Sequence, residues 1–151
     1  MMENRTDSKP LSKADISGEN LSIRALAGDY TYAINFDRLQ FHQRLKRYII
    51  FEYQKCEAIQ CERGITPWTS HPNRYWNKCK RKYFALWKAA RKLDATLYVV
   101  NYAEPDTFYQ NQIRLIRVTD MGPDGLEPND GKNITFQSFS DWFRKMNEEC
   151  R

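Results

Sequence analysis

A chain of 151 residues with 41% hydrophobic and 14% aromatic side chains has the apolar content of a folded domain, which excludes a wholly disordered polymer. The 24 basic and 19 acidic residues leave a net charge of only +5, so the distribution of the charges matters more than their sum. No apolar run approaches the roughly 20 residues of a membrane span, and the polar N-terminal residues lack a signal-peptide core. We therefore expect a cytoplasmic protein with no membrane association.

The first part of the chain predicts a short helix followed by two or three strands. A helical pattern runs over residues 11–27. Strand-like sequence follows over residues 30–36, and residues 48–56 form the clearest predicted strand because they are rich in bulky β-formers. The apolar spacing of residues 38–45, which lie between these strands, fits either a strand or a helix.

The second part of the chain is dominated by a long amphipathic helix over residues 73–93. Its apolar stripe has spacings of three and four and consists of Trp76, Cys79, Tyr83, Leu86, Ala90 and Leu93. Strands are predicted over residues 96–102 and 112–119, and a loop rich in Gly, Pro, Asp and Asn over residues 121–133. A final amphipathic helix is predicted over residues 138–149.

This order of elements indicates an α/β or α+β class with a mixed central sheet flanked by helices. The long helix between two strands predicts a right-handed crossover within one sheet. Residues 1–12 are polar and expected to be disordered, and residues 13–151 are expected to form a single domain.

One predicted strand carries unexpected polar residues. Side chains on a strand alternate between faces, so Glu52 and Gln54 share a face with Ile50. A carboxylate among buried residues is costly unless it is paired or binds a metal. Asp37 closes the apolar run that precedes this strand. Two carboxylates on adjacent strands are a typical way to bind Mg²⁺, so the pair predicts a metal site.

The spacing of Asp37 and the Glu52-x-Gln54 triplet, followed by a long basic helix and a strand, resembles the PD-(D/E)xK nuclease superfamily, whose fold is restriction-endonuclease-like. The resemblance covers residues 11–102. It implies an αβββαβ core, to which the last strand and helix are additions. It also implies hydrolysis of phosphodiester bonds with Mg²⁺ or Mn²⁺ bound by Asp37, Glu52 and a strand carbonyl group.

The resemblance assigns the catalytic positions to Asp37, Glu52, Gln54 and Lys55. Gln54 lies where the family usually has a lysine that positions the attacking water, and some members carry glutamine there. Glutamine offers only a neutral amide. Lys55 is adjacent, but an ideal strand directs it to the opposite face, and only a β-bulge would return it.

The long helix indicates an anionic partner. Between residues 73 and 93 it has no acidic residue, and its basic residues are Arg74, Lys78, Lys80, Arg81, Lys82, Lys88, Arg91 and Lys92. Five of them, Arg74, Lys78, Arg81, Lys88 and Lys92, fall on one stripe opposite the apolar side. These five residues, together with Lys82, can neutralise phosphates, so we expect them to contact nucleic acid and favour DNA over RNA as the partner.

The loop before this helix supplies two further candidate contacts. Trp68 and His71 lie close to the predicted start of the helix, where free backbone N–H groups favour anions. They are candidates for stacking on a base or binding a phosphate. The structural alternative is that Trp68 seals the core and His71 caps the helix, and for His71 we favour the cap.

Two functions remain open at this point. The first is a metal-dependent nuclease, for which a homodimer is one expectation because nucleases that cut both strands are commonly dimers. The second is a non-catalytic module that binds nucleic acid or an acidic protein, as a regulator or inhibitor would. The nuclease is favoured if Gln54 faces the carboxylate pair beside a basic groove. The binding module is favoured if Glu52 is neutralised by a salt bridge, for example with Lys46 or Arg47.

Overall fold

A computed structural model describes residues 16–151, and its contacts divide the chain into two compact units at the Ala33–Ile34 junction. The described part of the shorter unit contains helix α1 (Ser17–Leu26). Its C-cap residue, Ala27, adopts the left-handed conformation with φ 49°. The predicted helix over residues 11–27 is therefore confirmed in its second half. The first residues of that predicted helix, and residues 1–12 that were expected to be disordered, lie outside the described part of the chain.

The larger unit is built on a mixed β-sheet. Its strands are β1 (Arg38–His42), β2 (Arg47–Cys56), β3 (Thr96–Ala103), β4 (Gln112–Arg117), β5 (Met121–Gly122), β6 (Gly125–Leu126) and β7 (Lys132–Thr135). The main sheet has the order β1-β2-β3-β4-β7, and β5 pairs with β6 in a separate small hairpin. Strands β2 and β3 are parallel and the other pairs are antiparallel. The expected α+β class with a mixed sheet is confirmed.

Helices cover both faces of the main sheet. They are α2 (Ala58–Glu62), α3 (Trp76–Lys92, preceded by a 3-10 turn over Pro72–Tyr75) and α4 (Phe136–Glu149). On one face Ile50 packs with Tyr83 and Leu86 of α3. On the other face Ile49 and Phe51 pack with side chains of α4. Because both faces are buried, the centre of β2 is a continuous apolar run rather than an alternation.

Most predicted elements are confirmed, with corrections over residues 30–36 and in the predicted loop over residues 121–133. The predicted strand over residues 30–36 is wrong, because this segment has no regular secondary structure. Tyr30 and Tyr32 are 87% and 82% exposed, so no face is buried that would stabilise a strand. The predicted loop over residues 121–133 contains the β5–β6 hairpin and the first two residues of β7, so it is not entirely loop. Strand β7 was missed because Ile134 is its single bulky apolar residue; its pairing with β4 makes it a strand.

No helix within residues 16–151 has both the length and the apolar character needed to cross a lipid bilayer.

The β5–β6 hairpin is attached to the start of α3 by side-chain contacts. The Asn73 amide donates to the Leu126 carbonyl oxygen at 2.8 Å and accepts from the Leu126 N–H at 2.8 Å. Trp76 donates its indole N–H to the Pro123 carbonyl oxygen at 2.8 Å. Gly125 lies against Asn73, and a Cβ atom there would be 2.1 Å from the Asn73 Oδ1 atom. The close approach therefore requires glycine.

We expect Gly125→Ala to lower the free energy of unfolding by about 2 kcal/mol or more, because Gly125 has φ +136° and its new methyl group would clash with Asn73. Gly122→Ala is the matched control, since no atom lies within 4 Å of its Cβ position. Urea unfolding of both variants measures the difference. Equal stability of the two variants would contradict the attachment of the hairpin through Asn73.

Candidate functional site

The structure brings the two predicted carboxylates together. Strands β1 and β2 are antiparallel with Arg38 opposite Phe51, and continuing this register by one residue places Asp37 opposite Glu52. Asp37 Oδ2 accepts a hydrogen bond of 2.8 Å from the backbone N–H of Tyr53. This bond fixes the Asp37 side chain at the edge of β2 beside Glu52.

Glu52 is a buried carboxylate that is only partly neutralised. The side chain is 3% exposed, its Oε1 atom forms an ion pair with the Lys82 ammonium group of α3, and its Oε2 atom has no hydrogen-bond partner among the described residues. Burial raises the pKa of Glu52 to about 7; Lys82 opposes this shift, and the Asp37 carboxylate adds to it. The Glu52 carboxyl group therefore titrates near neutral pH.

Lys82 replaces the salt-bridge partners expected for Glu52. Arg47 instead donates to the Asp94 backbone oxygen at 2.9 Å and pairs with the Asp94 carboxylate at 3.1 Å. Lys82 itself was predicted to contact nucleic acid, but its ammonium group turns toward the sheet, with the side chain 41% exposed. It lies on the flank of α3 between the apolar side and the exposed basic side.

Gln54 lies on the same face as Glu52, as predicted from the alternation of β2. Its Oε1 atom accepts a hydrogen bond from the hydroxyl group of Tyr83. Burial, and next the nearby charge of Glu52, raise the pKa of Tyr83 far above its usual value, so this residue remains a neutral hydroxyl donor. Gln54 therefore aligns Tyr83 against β2.

Asn101 completes the polar group on this face. It lies opposite Gln54 in the β2–β3 register and is fully buried. Its Nδ2 group donates to the Ser70 carbonyl oxygen at 2.7 Å, whereas its Oδ1 atom has no partner among the described residues. We call the six residues Asp37, Glu52, Gln54, Lys82, Tyr83 and Asn101 the carboxylate cluster.

Lys55 does not join the carboxylate cluster. The register of β2 and β3 is unbroken from Ile49 to Cys56, so no bulge returns Lys55 to the face of Glu52. Its side chain is exposed, and it lies opposite Tyr102, which packs on the α4 side of the sheet. The lysine that reaches Glu52 comes from α3.

The outer surface of α3 carries the predicted basic stripe. Its five residues Arg74, Lys78, Arg81, Lys88 and Lys92 are all exposed. Arg74 lies in the 3-10 turn before α3, and the other four lie on α3, where a rise of about 1.5 Å per residue separates Lys78 from Lys92 by roughly 21 Å. Its positive charge lies on the same helix as Lys82, and α3 therefore connects the carboxylate cluster with a surface suited to phosphates.

Trp68 and His71, the two predicted loop contacts, have structural partners. Trp68 donates its indole N–H to the backbone oxygens of Ile113 and Ile134 at 3.1 and 3.0 Å. His71 Nδ1 accepts from the Asn73 N–H at 3.1 Å, which makes His71 the cap of the 3-10 turn. Burial and the nearby Arg114 charge lower the pKa of His71, which favours the neutral ring that this cap requires.

Sequence reasoning missed Tyr83 and Asn101 as members of the site. Tyr83 was assigned to the apolar stripe of α3, where its ring does pack. Asn101 was included among β-formers, although an amide following Val99 and Val100 in a buried strand was a signal comparable to Glu52 itself.

The donor atoms suit a hard divalent cation. Mg²⁺ is commonly bound by one or two carboxylates and keeps several water ligands. Asp37 and the unpartnered Oε2 atom of Glu52 can supply the carboxylate ligands. Residues 16–151 contain no group of three or more His, Cys, Asp or Glu side chains arranged for a metal. A cation here would therefore depend on these two carboxylates together with amide or backbone oxygens and water.

No family model, curated protein or solved structure matches this chain.

We expect Glu52→Gln to stabilise the fold at alkaline pH. Because the pKa of Glu52 is raised from 4.5 to about 7, its carboxyl group favours folding below pH 4.5, and this contribution is lost as the pH rises through 7. Between pH 4.5 and 8 the stability of the variant relative to the original should rise by about 3 kcal/mol. Urea unfolding across this range measures it, with the exposed Glu62→Gln as control. A pH-independent difference would contradict the burial of a titrating Glu52.

Proposed function

We propose that this protein is a metal-dependent nuclease with a PD-(D/E)xK-like core. The observation that supports the proposal is the pairing of Asp37 with a buried Glu52 whose Oε2 atom lacks a partner among the described residues. Burying Glu52 costs desolvation, and the exposed Asp37 carboxylate beside it adds repulsion; a bound cation would relieve both costs. Such an arrangement is typical of a site selected for chemistry rather than stability.

The residues of the carboxylate cluster would have distinct roles. When bound, Mg²⁺ or Mn²⁺ would polarise the scissile phosphate and lower the pKa of a water molecule. Asp37 and Glu52 would hold the cation. Lys82, already paired with Glu52 Oε1, would stabilise negative charge on the phosphate oxygens. It would thereby supply the positive charge that the neutral amide of Gln54 cannot. Gln54 and Tyr83 would position β2 against α3.

The basic stripe would bind the polymer. Its exposed cations lie on the helix that supplies Lys82, so a nucleic-acid backbone on the stripe would pass near the carboxylate cluster. Contacts to phosphates position the polymer without reading its sequence. We favour DNA over RNA as the substrate and retain the homodimer as part of this proposal.

A second candidate function is a binding module without catalysis. The ion pair between Lys82 and Glu52 favours it, because it neutralises one carboxylate without any cation. The bond from Tyr83 to Gln54 favours it as well, because it commits the amide oxygen that replaces the family lysine. In this case the basic stripe would bind nucleic acid or an acidic protein surface and the carboxylate cluster would only hold α3 on the sheet.

The test is cleavage of single- and double-stranded nucleic acids with Mg²⁺ or Mn²⁺. We expect Asp37→Ala and Glu52→Ala to abolish cutting. Lys82→Met should lower the rate about 100-fold or more, because it removes the cation beside the reacting phosphate. Lys55→Met is the matched control, since Lys55 lies on the other face of β2, and it should change the rate less than threefold. Melting temperatures establish that each variant is folded.

Two results would contradict the nuclease proposal. The first is no metal-dependent cutting by the unsubstituted protein on any substrate; retained salt-sensitive binding would then indicate the binding module. The second is cutting that survives in both Asp37→Ala and Glu52→Ala, which would place the activity elsewhere or in a contaminant. Loss of activity in Lys55→Met but not in Lys82→Met would overturn the role given to Lys82.

A further inference from the structure

A second basic site lies on the other side of the sheet. A cavity of about 390 Å³ opens between the C-terminal half of α4 and the ends of the strands that lie farthest from Glu52. Its basic lining residues are Arg44, Arg47, Arg117 and Lys145. We call this cavity the α4 pocket. Its volume falls within the range of about 300–1,000 Å³ that is typical of small-molecule sites.

The α4 pocket has an excess of positive charge. Glu149 is the acidic residue in its lining, and that carboxylate is already bound. It contacts His42 Nε2 at 2.6 Å and Arg44 at 3.8 Å. Because His42 Nδ1 accepts a hydrogen bond of 3.0 Å from the Leu45 N–H, the ring presents Nε2–H as the donor to Glu149.

Arg117 and Lys145 have no salt-bridge partner in the part of the chain that the structure describes. They face the same cavity from the sheet and from the helix. Both side chains are exposed at the rim of the cavity, where a bound anion would be attracted to both charges. Their common position at this cavity therefore favours an anionic ligand.

Aromatic rings form part of the same cavity. Tyr98 and Trp142 line it and contact each other edge to face, with ring centroids 5.1 Å apart. Tyr98 lies opposite Arg117 in the β3–β4 register, so a ring and a guanidinium group lie side by side. A planar group bound against Tyr98 or Trp142 would place an attached anion within reach of Arg117.

The α4 pocket is separate from the carboxylate cluster. Ile49 and Tyr98 belong to the sheet face covered by α4, whereas Glu52 and Asn101 belong to the face covered by α3. The pocket also lies at the opposite end of β2 and β3. The internal part of a polymer bound along the basic stripe would therefore not reach the α4 pocket. A compact ligand or the end of a chain is the more suitable occupant.

We propose that the α4 pocket binds a phosphate monoester attached to a nucleobase, either in a free mononucleotide or at the 5′ end of a nucleic-acid chain. Arg117 and Lys145 bind the phosphate, and Tyr98 and Trp142 contact the base. Two cations match the double negative charge of a monoester better than the single charge of an internal phosphodiester. This inference does not rest on the proposed nuclease function.

The test is calorimetric titration of the full chain in EDTA, so that no metal-dependent cleavage interferes. The probes are adenosine 5′-monophosphate, adenosine, and one hexanucleotide with either a 5′-phosphate or a 5′-hydroxyl group. We expect saturable binding at one site for a probe that carries a terminal phosphate, and none for adenosine. Preference for the mononucleotide or for the phosphorylated hexanucleotide identifies the source of the monoester.

Matched variants locate the binding. Arg117→Gln and Lys145→Gln should each raise the dissociation constant of the bound probe about tenfold, as expected for loss of one charge-assisted contact. Arg144→Gln is the control, because Arg144 is an exposed neighbour of Lys145 on α4 that does not line the cavity, and it should stay within twofold. Absence of saturable binding by both phosphorylated probes would overturn the proposal. Equal weakening by Arg144→Gln, or equal affinity for the two hexanucleotides without binding of the mononucleotide, would overturn it too.

Discussion

The ion pair between the buried Glu52 of β2 and the half-exposed Lys82 of α3 constrains the arrangement of the larger unit. A carboxylate in a buried strand destabilises the fold by several kcal/mol unless a partner offsets its desolvation. Lys82 can reach Glu52 only if the flank of α3 that carries Lys82 and Tyr83 packs against β2. The rotation of α3 about its axis is thereby set, and with it the direction in which the basic stripe faces solvent.

The two faces of the sheet consequently have different chemistry. The α3 face combines the apolar core with the carboxylate cluster, where Glu52 and Asn101 each keep one buried oxygen without a partner among the described residues. The α4 face is largely aromatic, and its polar groups lie at the edge, in the α4 pocket. A protein that needed only stability would gain from an apolar residue in place of Glu52. The proposed cation site would give this carboxylate beside Asp37 a chemical role.

Part of this site could be predicted from the sequence because it depends on local periodicity. The alternation of β2 places Glu52 and Gln54 on one face, and the helical period of α3 separates its basic stripe from its apolar side. The neighbourhood of Asp37 and Glu52 depends on the β1–β2 register, which the ambiguous spacing of residues 38–45 did not determine. The partner of Glu52 depends on how α3 docks, so local reasoning proposed Arg47 or Lys46 as the partner and Lys82 as a nucleic-acid contact. Strand β7 and the unstructured segment at residues 30–36 show the same limit, since packing partners decide both.

We propose that Asp37 and Glu52 form a cation site. Titration with Mn²⁺, followed by electron paramagnetic resonance, measures cation binding there directly. The signal of the free hydrated ion decreases as the ion binds, so the number of sites can be counted without any substrate. We expect one saturable Mn²⁺ ion per chain, which competes with Mg²⁺ and is lost in the Asp37→Asn variant. A free-ion signal that is undiminished by excess folded protein would contradict the account, as would unchanged binding in the Asp37→Asn variant.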